Sequence, residues 1–267
     1  MFGSDNIQKL AIKISDSKFT TLKITSASVL GAASPITMHG MIPLIVILGG
    51  KGVSEYILAA FIISSILINP NVFIYSFAIS GPVALLRLIL CILAGIIGGY
   101  LVKLFLNKKK LFIFENYQHD AHKSIIIRSK LHKLMLGMKR AIIKTGSNLL
   151  LGIILTALFD KFFPRDLFNS IFVSNKGLGV LFAASMGVPI YFCGGGTIPL
   201  ISAWIKEGMS LGSAVAFMIT GPATKLNNLS AVKNITGGRS FSLYLVYNLC
   251  FGIAAGLMID LVLKFLN

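Results

Sequence analysis

A run of three glycines between a cysteine and an Ile-Pro pair is the sharpest local motif. The segment comprises Cys193, Gly194, Gly195, Gly196, Thr197, Ile198 and Pro199. Glycines leave their backbone amides uncovered, and a proline suits the first turn of the helix that follows. Amides at the positive end of a helix bind anionic or polar groups. The motif therefore predicts a binding site for a small solute; close helix packing at a glycine-rich crossing is the alternative interpretation.

A second polar segment follows Gly221-Pro222 and contains Thr224, Lys225 and Asn227. A lysine at the centre of a membrane helix costs about 2.5–3.5 kcal/mol on insertion, and such residues face the bundle interior. Lys225 is therefore a candidate counter-charge for an anionic substrate, or a side chain that reaches towards the membrane surface.

Polar groups also flank two prolines in the first part of the chain. Asn69 and Asn71 either cap broken helix ends or offer amides to the substrate, while Thr37 and His39 precede Pro43. His39 and Cys193 together fall short of a tetrahedral metal set. We therefore expect a polar pore lining, with a soft-ligand site as the alternative, and we predict neither a bound metal nor a cofactor.

Long uncharged stretches must position these groups. The chain has 267 residues, of which 55% are hydrophobic and only 13% are charged, with a mean hydropathy of +0.83. Too few charged side chains remain to solvate a globular core, which excludes a soluble enzyme and a disordered chain. Four windows without Asp, Glu, Lys or Arg can each span about 30 Å of hydrocarbon as a helix. They cover residues 24–50, 56–86, 177–205 and 240–259, with shorter candidates at 83–105 and 145–159.

The positive charge is concentrated in one segment. Eleven Lys and Arg but only two acidic residues lie between Lys103 and Lys144. The positive-inside rule places that segment on the cytoplasmic side of a cell membrane, and its charge favours lipid headgroups rather than nucleic acid. Lysines alternate with apolar residues before residue 20, which predicts an amphipathic helix lying on the membrane surface.

Several of the apolar windows contain helix-breaking residues. Ser34-Pro35, Asn69-Pro70, the three glycines and Gly221-Pro222 each interrupt a stretch that would otherwise span the membrane. Interrupted backbone at membrane depth is tolerated only where it is buried in protein or lines a polar cavity. The interruptions therefore predict a transporter or a channel.

The two parts of the chain resemble each other at an offset of 156 residues. Identical pairs include Gly40/Gly196, Pro43/Pro199, Gly52/Gly208, Ser54/Ser210 and Asn71/Asn227. A Gly-x-x-x-Gly pair follows in each part, Gly95/Gly99 and Gly252/Gly256, and this spacing lets membrane helices approach closely. These glycines could also join two copies of the chain into a homo-oligomer.

The offset and the charge together predict the organisation of the chain. We expect an N-terminal segment (1–20), a first transmembrane repeat (21–105), a basic cytoplasmic linker (106–144) and a second repeat with its leading helix (145–267). One crossing between the repeats makes them inverted copies, a common plan of secondary transporters. The predicted fold class is an all-α, multi-pass membrane protein with broken helices.

These motifs resemble a known family. The chain is similar to the predicted permeases that include the organoarsenical efflux permeases (YraQ/ArsP-like). The resemblance rests on residues 31–35 before Ile42-Pro43-Leu44, on Ile68-Asn69-Pro70, and on the segments 187–200 and 221–225. It implies a multi-spanning permease of the cytoplasmic membrane. The arsenical members carry a Cys-x-Cys pair where this sequence has Thr37 and His39.

The sequence thus predicts a secondary transporter that moves a small solute between the two Ile-Pro-Leu motifs. A channel and a soft-metal or metalloid exporter are the alternatives. An intramembrane enzyme is not expected, because the spans hold no paired carboxylates and no metalloprotease or serine-nucleophile motif.

Overall fold

The structure is a computed structural model. It describes residues 19–34, 38–68, 80–105, 111–112, 168–174, 176–190 and 197–266, together with isolated positions in the remaining segments. Its helices are α1 (Thr20–Ala33), α2 (Met38–Gly50), α3 (Glu55–Ile68), α4 (Gly81–Phe105), a π-helical turn (Asn169–Ser174), α5 (Lys176–Ile190), α6 (Thr197–Lys206), α7 (Leu211–Thr224), α8 (Leu226–Ile235) and α9 (Gly238–Leu266).

The described ranges are helical throughout, apart from short connections and one isolated bridge between Phe112 and Thr236. Gly81–Phe105 and Gly238–Phe265 are the two described helices long and apolar enough to cross a membrane, with 25 and 28 residues. A helix of 25 residues is about 37 Å long, against about 30 Å of hydrocarbon in a bilayer. The predicted all-α membrane fold class is confirmed.

The first part of the chain forms a bundle of α1, α3 and α4. Small residues at the crossings set the spacing. A Cβ on Gly99 of α4 would lie 2.9 Å from the Cβ of Ala60 on α3, and one on Gly31 of α1 would meet the Ser64 hydroxyl. Ser64 donates its own hydrogen bond to the Ala60 carbonyl at 3.0 Å. Because these positions lack larger side chains, the three helices lie in backbone contact.

The second part packs α5, α7 and α9 in the same way. A Cβ on Gly256 of α9 would lie 3.0 Å from the Cβ of Ala216 on α7, and one on Gly187 of α5 would meet the Thr220 hydroxyl. Thr220 donates to the Ala216 carbonyl at 3.0 Å. Gly187, Ala216 and Thr220 each follow their first-bundle counterparts by 156 residues, and Gly256 follows Gly99 by 157.

The helix boundaries also correspond at this offset. Both α3 and α7 have 14 residues, and both their first and last residues are separated by 156 positions. The turn before each contains a glycine with a positive φ, 80° at Gly52 and 104° at Gly208. Only glycine adopts such an angle without strain, which explains why the sequence keeps glycine at both turns.

The two long helices run in opposite directions. Tyr247 of α9 donates its hydroxyl to the Ala94 carbonyl near the middle of α4. Phe105 at the end of α4 and Ser240 at the start of α9 line the same cavity. Since the end of one helix lies beside the start of the other, α4 and α9 are antiparallel.

One of the four expected interruptions lies at a described helix end, because α1 ends at Ala33 and Ser34 is extended. The interruptions expected at Asn69-Pro70 and at the three glycines lie outside the described residues. The fourth stretch is interrupted three residues later than expected: α7 continues through Gly221-Pro222 and ends at Thr224, and Lys225 separates it from α8. Proline removes a backbone donor from the turn before it, but the residues after it can remain helical. The Pro222 carbonyl accepts a hydrogen bond from Nδ2 of Asn228.

The structure uses both Gly-x-x-x-Gly pairs inside one copy of the chain. Gly95 and Gly99 are buried against α3, and Gly252 and Gly256 are buried against α7. In the N-terminal segment, Ala11 is buried in the cluster formed around α2 and α3. Of residues 106–144, the structure describes Leu111 and Phe112.

Candidate functional site

The last described residues of α3 are buried inside the protein, and one of their carbonyls has a side-chain partner. The carbonyl of the buried Leu67 accepts a hydrogen bond from Nη2 of Arg87 at 3.1 Å. Arg87 lies on α4 and is itself fully buried, and its Nη1 donates to the Ser76 hydroxyl at 3.0 Å. The Arg87 side chain therefore supplies the hydrogen bond that water supplies to the carbonyls of an exposed helix end.

The end of α7 has the same arrangement with a different donor. The Tyr244 hydroxyl, on α9, lies 3.2 Å from the Ala223 carbonyl and donates to it. Ala223 follows Leu67 by 156 residues, and Tyr244 follows Arg87 by 157. A neutral hydroxyl thus serves one break, and a charged guanidinium serves the other.

Further side chains satisfy the backbone where α7 meets α8. Nδ2 of the buried Asn228 donates to the Pro222 carbonyl at 2.8 Å. The Thr224 hydroxyl bonds within α7 and lies 3.3 Å from the Gly187 carbonyl of α5. Lys225 is half-buried and joins α7 to α8. Its carbonyl accepts a hydrogen bond from the backbone N–H of Asn228 at 2.8 Å. This break is therefore a polar junction held by side chains of three helices.

A cavity of about 250 Å³ lies between the two bundles. It is lined by Ala59, Ile62, Ile63, Gly98, Leu101, Val102, Phe105, Leu111, Phe112, Val232, Ile235, Thr236, Ser240, Leu243, Tyr244 and Tyr247. Apolar side chains form most of this wall, and the hydroxyls come from Thr, Ser and Tyr. Because Tyr244 both lines the cavity and caps the Ala223 carbonyl, the cavity reaches the broken end of α7.

Comparison with known protein families identifies the family of the chain. A family model described as a predicted permease, ArsP_1, matches residues 6–261. The chain belongs to this family. Membership of this family of predicted permeases implies a membrane protein, in agreement with the two long apolar helices α4 and α9.

A curated relative matches a smaller region of the chain. The UPF0718 protein YcgR of Bacillus subtilis (strain 168) is 35% identical over 74 residues, 28% of this chain and 25% of that protein. The chain thus matches about a quarter of that relative's length. No solved structure matches the chain.

The structure places some of the site residues that the sequence predicts. Thr224 is buried, Lys225 is half-buried, and Pro43 lies half-buried inside α2. His39, Thr197, Pro199 and Asn227 lie within helices α2, α6 and α8, but their side chains are outside the described part. Outside the described residues altogether lie Thr37, Asn69, Asn71, Cys193, Gly194, Gly195 and Gly196.

The structure adds polar residues that the sequence interpretation missed. Arg87, Ser76, Tyr244 and Asn228 all bond to groups at or beside the broken helix ends. Arg87 had a usable signal, because an arginine within an apolar stretch marks the bundle interior in membrane proteins. Tyr244 had none, since a tyrosine in a membrane helix is common at interfaces.

Acidic and soft-ligand groups are sparse at this site. Within the described residues, no group of three His, Cys, Asp or Glu is placed to hold a metal ion. Cys91 is buried one turn after Arg87 and lies beside its guanidinium, while Cys250 is exposed. The described chemistry at the breaks is therefore that of hydroxyls, amides and one guanidinium.

Proposed function

We propose that the permease is a secondary transporter that moves a small solute through a site between the two helix breaks. The observation that carries the proposal is that α3 and α7 both end inside the protein. Their last carbonyls are satisfied by side chains of the long helices α4 and α9. Transporters use such interrupted helices to expose polar main chain to a substrate.

The depth of the two breaks supports a shared site. α3 begins at Glu55, whose carboxylate accepts from the amide of Leu111, six residues beyond α4. α7 begins at the opposite end, where Asp260 near the end of α9 accepts from the Gly212 amide at 2.9 Å. Leu67 and Ala223 each lie 12 residues into their helices, about 18 Å at the α-helical rise. In a core of about 30 Å, both breaks lie just beyond the midplane.

The correspondence between the two bundles supports inverted repeats. Equivalent helices pack through equivalent glycines at the 156-residue offset, and the equivalent helices α4 and α9 are antiparallel. A pseudo-two-fold axis in the membrane plane relates such halves in many secondary transporters, and rocking of one half against the other alternates access.

The solute site in this proposal combines the two Ile-Pro-Leu regions with the two breaks. Its residues are Thr37, His39, Pro43, Asn69, Asn71, Cys193, Gly194, Gly195, Gly196, Thr197, Pro199, Thr224, Lys225 and Asn227. Backbone amides of the glycines and side-chain amides of the asparagines bind polar atoms of the solute. Thr224 and Lys225 lie at the junction that the structure describes, next to Asn228 and Tyr244.

The cavity between the bundles supports a route to this site. It opens beside the end of α4, where the basic segment follows, and this end is cytoplasmic in our proposal. Its apolar wall accepts the hydrocarbon part of a solute, and Tyr244 marks its polar inner end. Loading from the cytoplasm and release outside then correspond to efflux.

Counterflow in proteoliposomes tests the proposal. Vesicles loaded with an unlabelled candidate solute should accumulate the labelled form transiently, with saturable initial rates. The Thr224→Val variant removes the hydroxyl at the break and keeps the side-chain shape, so we expect slower exchange. Val29→Ala, on the exposed face of α1, is the matched control and should exchange at the normal rate.

Two outcomes contradict a carrier. Unitary currents across a planar bilayer would establish a channel, because a channel opens to both sides at once. Exchange that is linear in solute concentration up to high millimolar levels would also exclude a saturable binding site.

A further inference from the structure

Arg87 is a fully buried charge in the membrane part of the permease. The sequence contains no Asp or Glu between Glu55 and Glu115, so α3 and α4 supply no carboxylate beyond Glu55 at the far end. Among the described residues, the guanidinium contacts the Ser76 hydroxyl, the Leu67 carbonyl and the Cys91 thiol. A buried cation with only neutral neighbours is costly, and such residues mark substrate or ion pathways in membrane proteins.

The second bundle shows that capping the helix end does not need this charge. Tyr244 occupies the position equivalent to Arg87 and donates a neutral hydrogen bond to the Ala223 carbonyl. Both donors serve equivalent carbonyls in similarly packed bundles. A side-chain donor to the helix-end carbonyl is therefore common to the two breaks. The break at the end of α3 differs in that its donor carries a positive charge.

The guanidinium also has donors to spare. Two of its five N–H groups donate to Leu67 and Ser76, at 3.1 and 3.0 Å, and the Cys91 thiol is a further hydrogen-bond partner of the guanidinium. Nε is buried and has no hydrogen-bond partner within the described part of the chain. The Nε–H and the neighbouring Nη–H of an arginine point in parallel, and that fork matches two oxygens of a carboxylate or a phosphate.

We propose that Arg87 and Ser76 form a binding site for an oxyanion group, so that the transported solute carries a carboxylate or a phosphate-type group. The site rests on the proposed transport function, and it names the chemical class of the substrate. The bound anion supplies a countercharge that the described neighbours of Arg87 do not provide, and its oxygens accept from Nε and from one Nη. In the structure the site is closed, and the anion enters when the two bundles move apart.

Equilibrium binding to the purified full chain in lipid nanodiscs tests the site. Isothermal titration with inorganic phosphate and with acetate, at constant ionic strength in chloride, should show saturable binding of at least one probe. Arg87→Gln keeps a hydrogen-bond donor for the Leu67 carbonyl but removes the charge and the fork. We expect its affinity to fall by about 10- to 100-fold, the range of a buried charge-assisted hydrogen bond.

Arg239→Gln is the matched control. Arg239 is exposed at the start of α9, so removing its charge should change the affinity by less than about twofold. Arg87→Lys is the second variant, because it keeps the charge but lacks the parallel N–H pair. It should bind the probe more weakly than the wild type and more tightly than Arg87→Gln.

The failure of this site is distinguishable from the failure of the transport function. If the wild type binds neither probe, or if Arg87→Gln and Arg87→Lys both bind like the wild type, the oxyanion site is wrong, whatever the counterflow result. If either probe binds through Arg87 but the vesicles show no counterflow with any anionic solute, the site stands and the carrier proposal fails.

Discussion

Replacing Gly256 by alanine should separate α9 from α7 and destabilise the second bundle. The added Cβ would lie 2.6 Å from the Gly212 carbonyl oxygen, 2.8 Å from Cγ1 of Val180 and 3.0 Å from the Cβ of Ala216. Ordinary van der Waals contacts begin near 3.4 Å. The Gly212 oxygen belongs to the backbone of α7, so it cannot rotate away as a flexible side chain would.

The size of the effect follows from these distances. α9 must move by roughly 0.5–1 Å, and overpacking of this kind costs about 1–3 kcal/mol. Alanine recovers up to about 1 kcal/mol over glycine in a helix interior, so we expect a net loss of about 1–2 kcal/mol. For a chain of this size that lowers the melting temperature by roughly 2–8 °C.

Thermal unfolding in one detergent at one scan rate measures the difference. Gly177→Ala in the first turn of α5 is the control, because a Cβ there meets nothing within 4 Å. Gly99→Ala probes the equivalent contact of α4 with α3, where the nearest atoms lie at 2.9 Å, and should lose slightly less. If Gly256→Ala melts at or above the temperature of Gly177→Ala, the close packing of α7 against α9 is refuted.

Three further substitutions test the break, the helix cap and the cavity. Asn228→Ala leaves the Pro222 carbonyl without its side-chain partner and should lower the free energy of unfolding by about 1–3 kcal/mol. Asn234→Ala, on the exposed face of α8, is the control and should change the free energy of unfolding little. Asp260→Ala removes the carboxylate that accepts from the Gly212 amide at 2.9 Å and from the Ser210 hydroxyl at 2.7 Å, and should lower the free energy of unfolding by about 1–3 kcal/mol. Glu207→Ala, at an exposed position, is the control. Equal stability of the two variants would contradict the role of Asp260 as a helix cap. Val102→Trp fills the cavity of about 250 Å³ and should slow counterflow, while Leu104→Trp, on an exposed position, should not; unchanged rates for both would exclude the cavity as a route.

The sequence predicted the class of the protein and the end of α1. Low charge and long apolar windows determine a membrane environment, because they are sums over many residues and do not depend on the partners of any one side chain. Proline at position 35 predicted the end of α1, since the residue before a proline is disfavoured in a helix. The 156-residue offset predicted equivalent turns, and glycines with positive φ lie at Gly52 and Gly208.

Tertiary structure decided how the broken ends are satisfied and what the glycines contact. Whether Pro222 ends a helix depended on Asn228, which lies six residues away and takes its carbonyl. The sequence also does not show that Arg87 is buried, because its partner, the Leu67 carbonyl, belongs to another helix. The glycine pairs are buried against α3 and α7, contacts that their spacing alone does not specify. The partners in these contacts come from different segments or across a turn, so local sequence preference does not determine which donor reaches which orphan carbonyl.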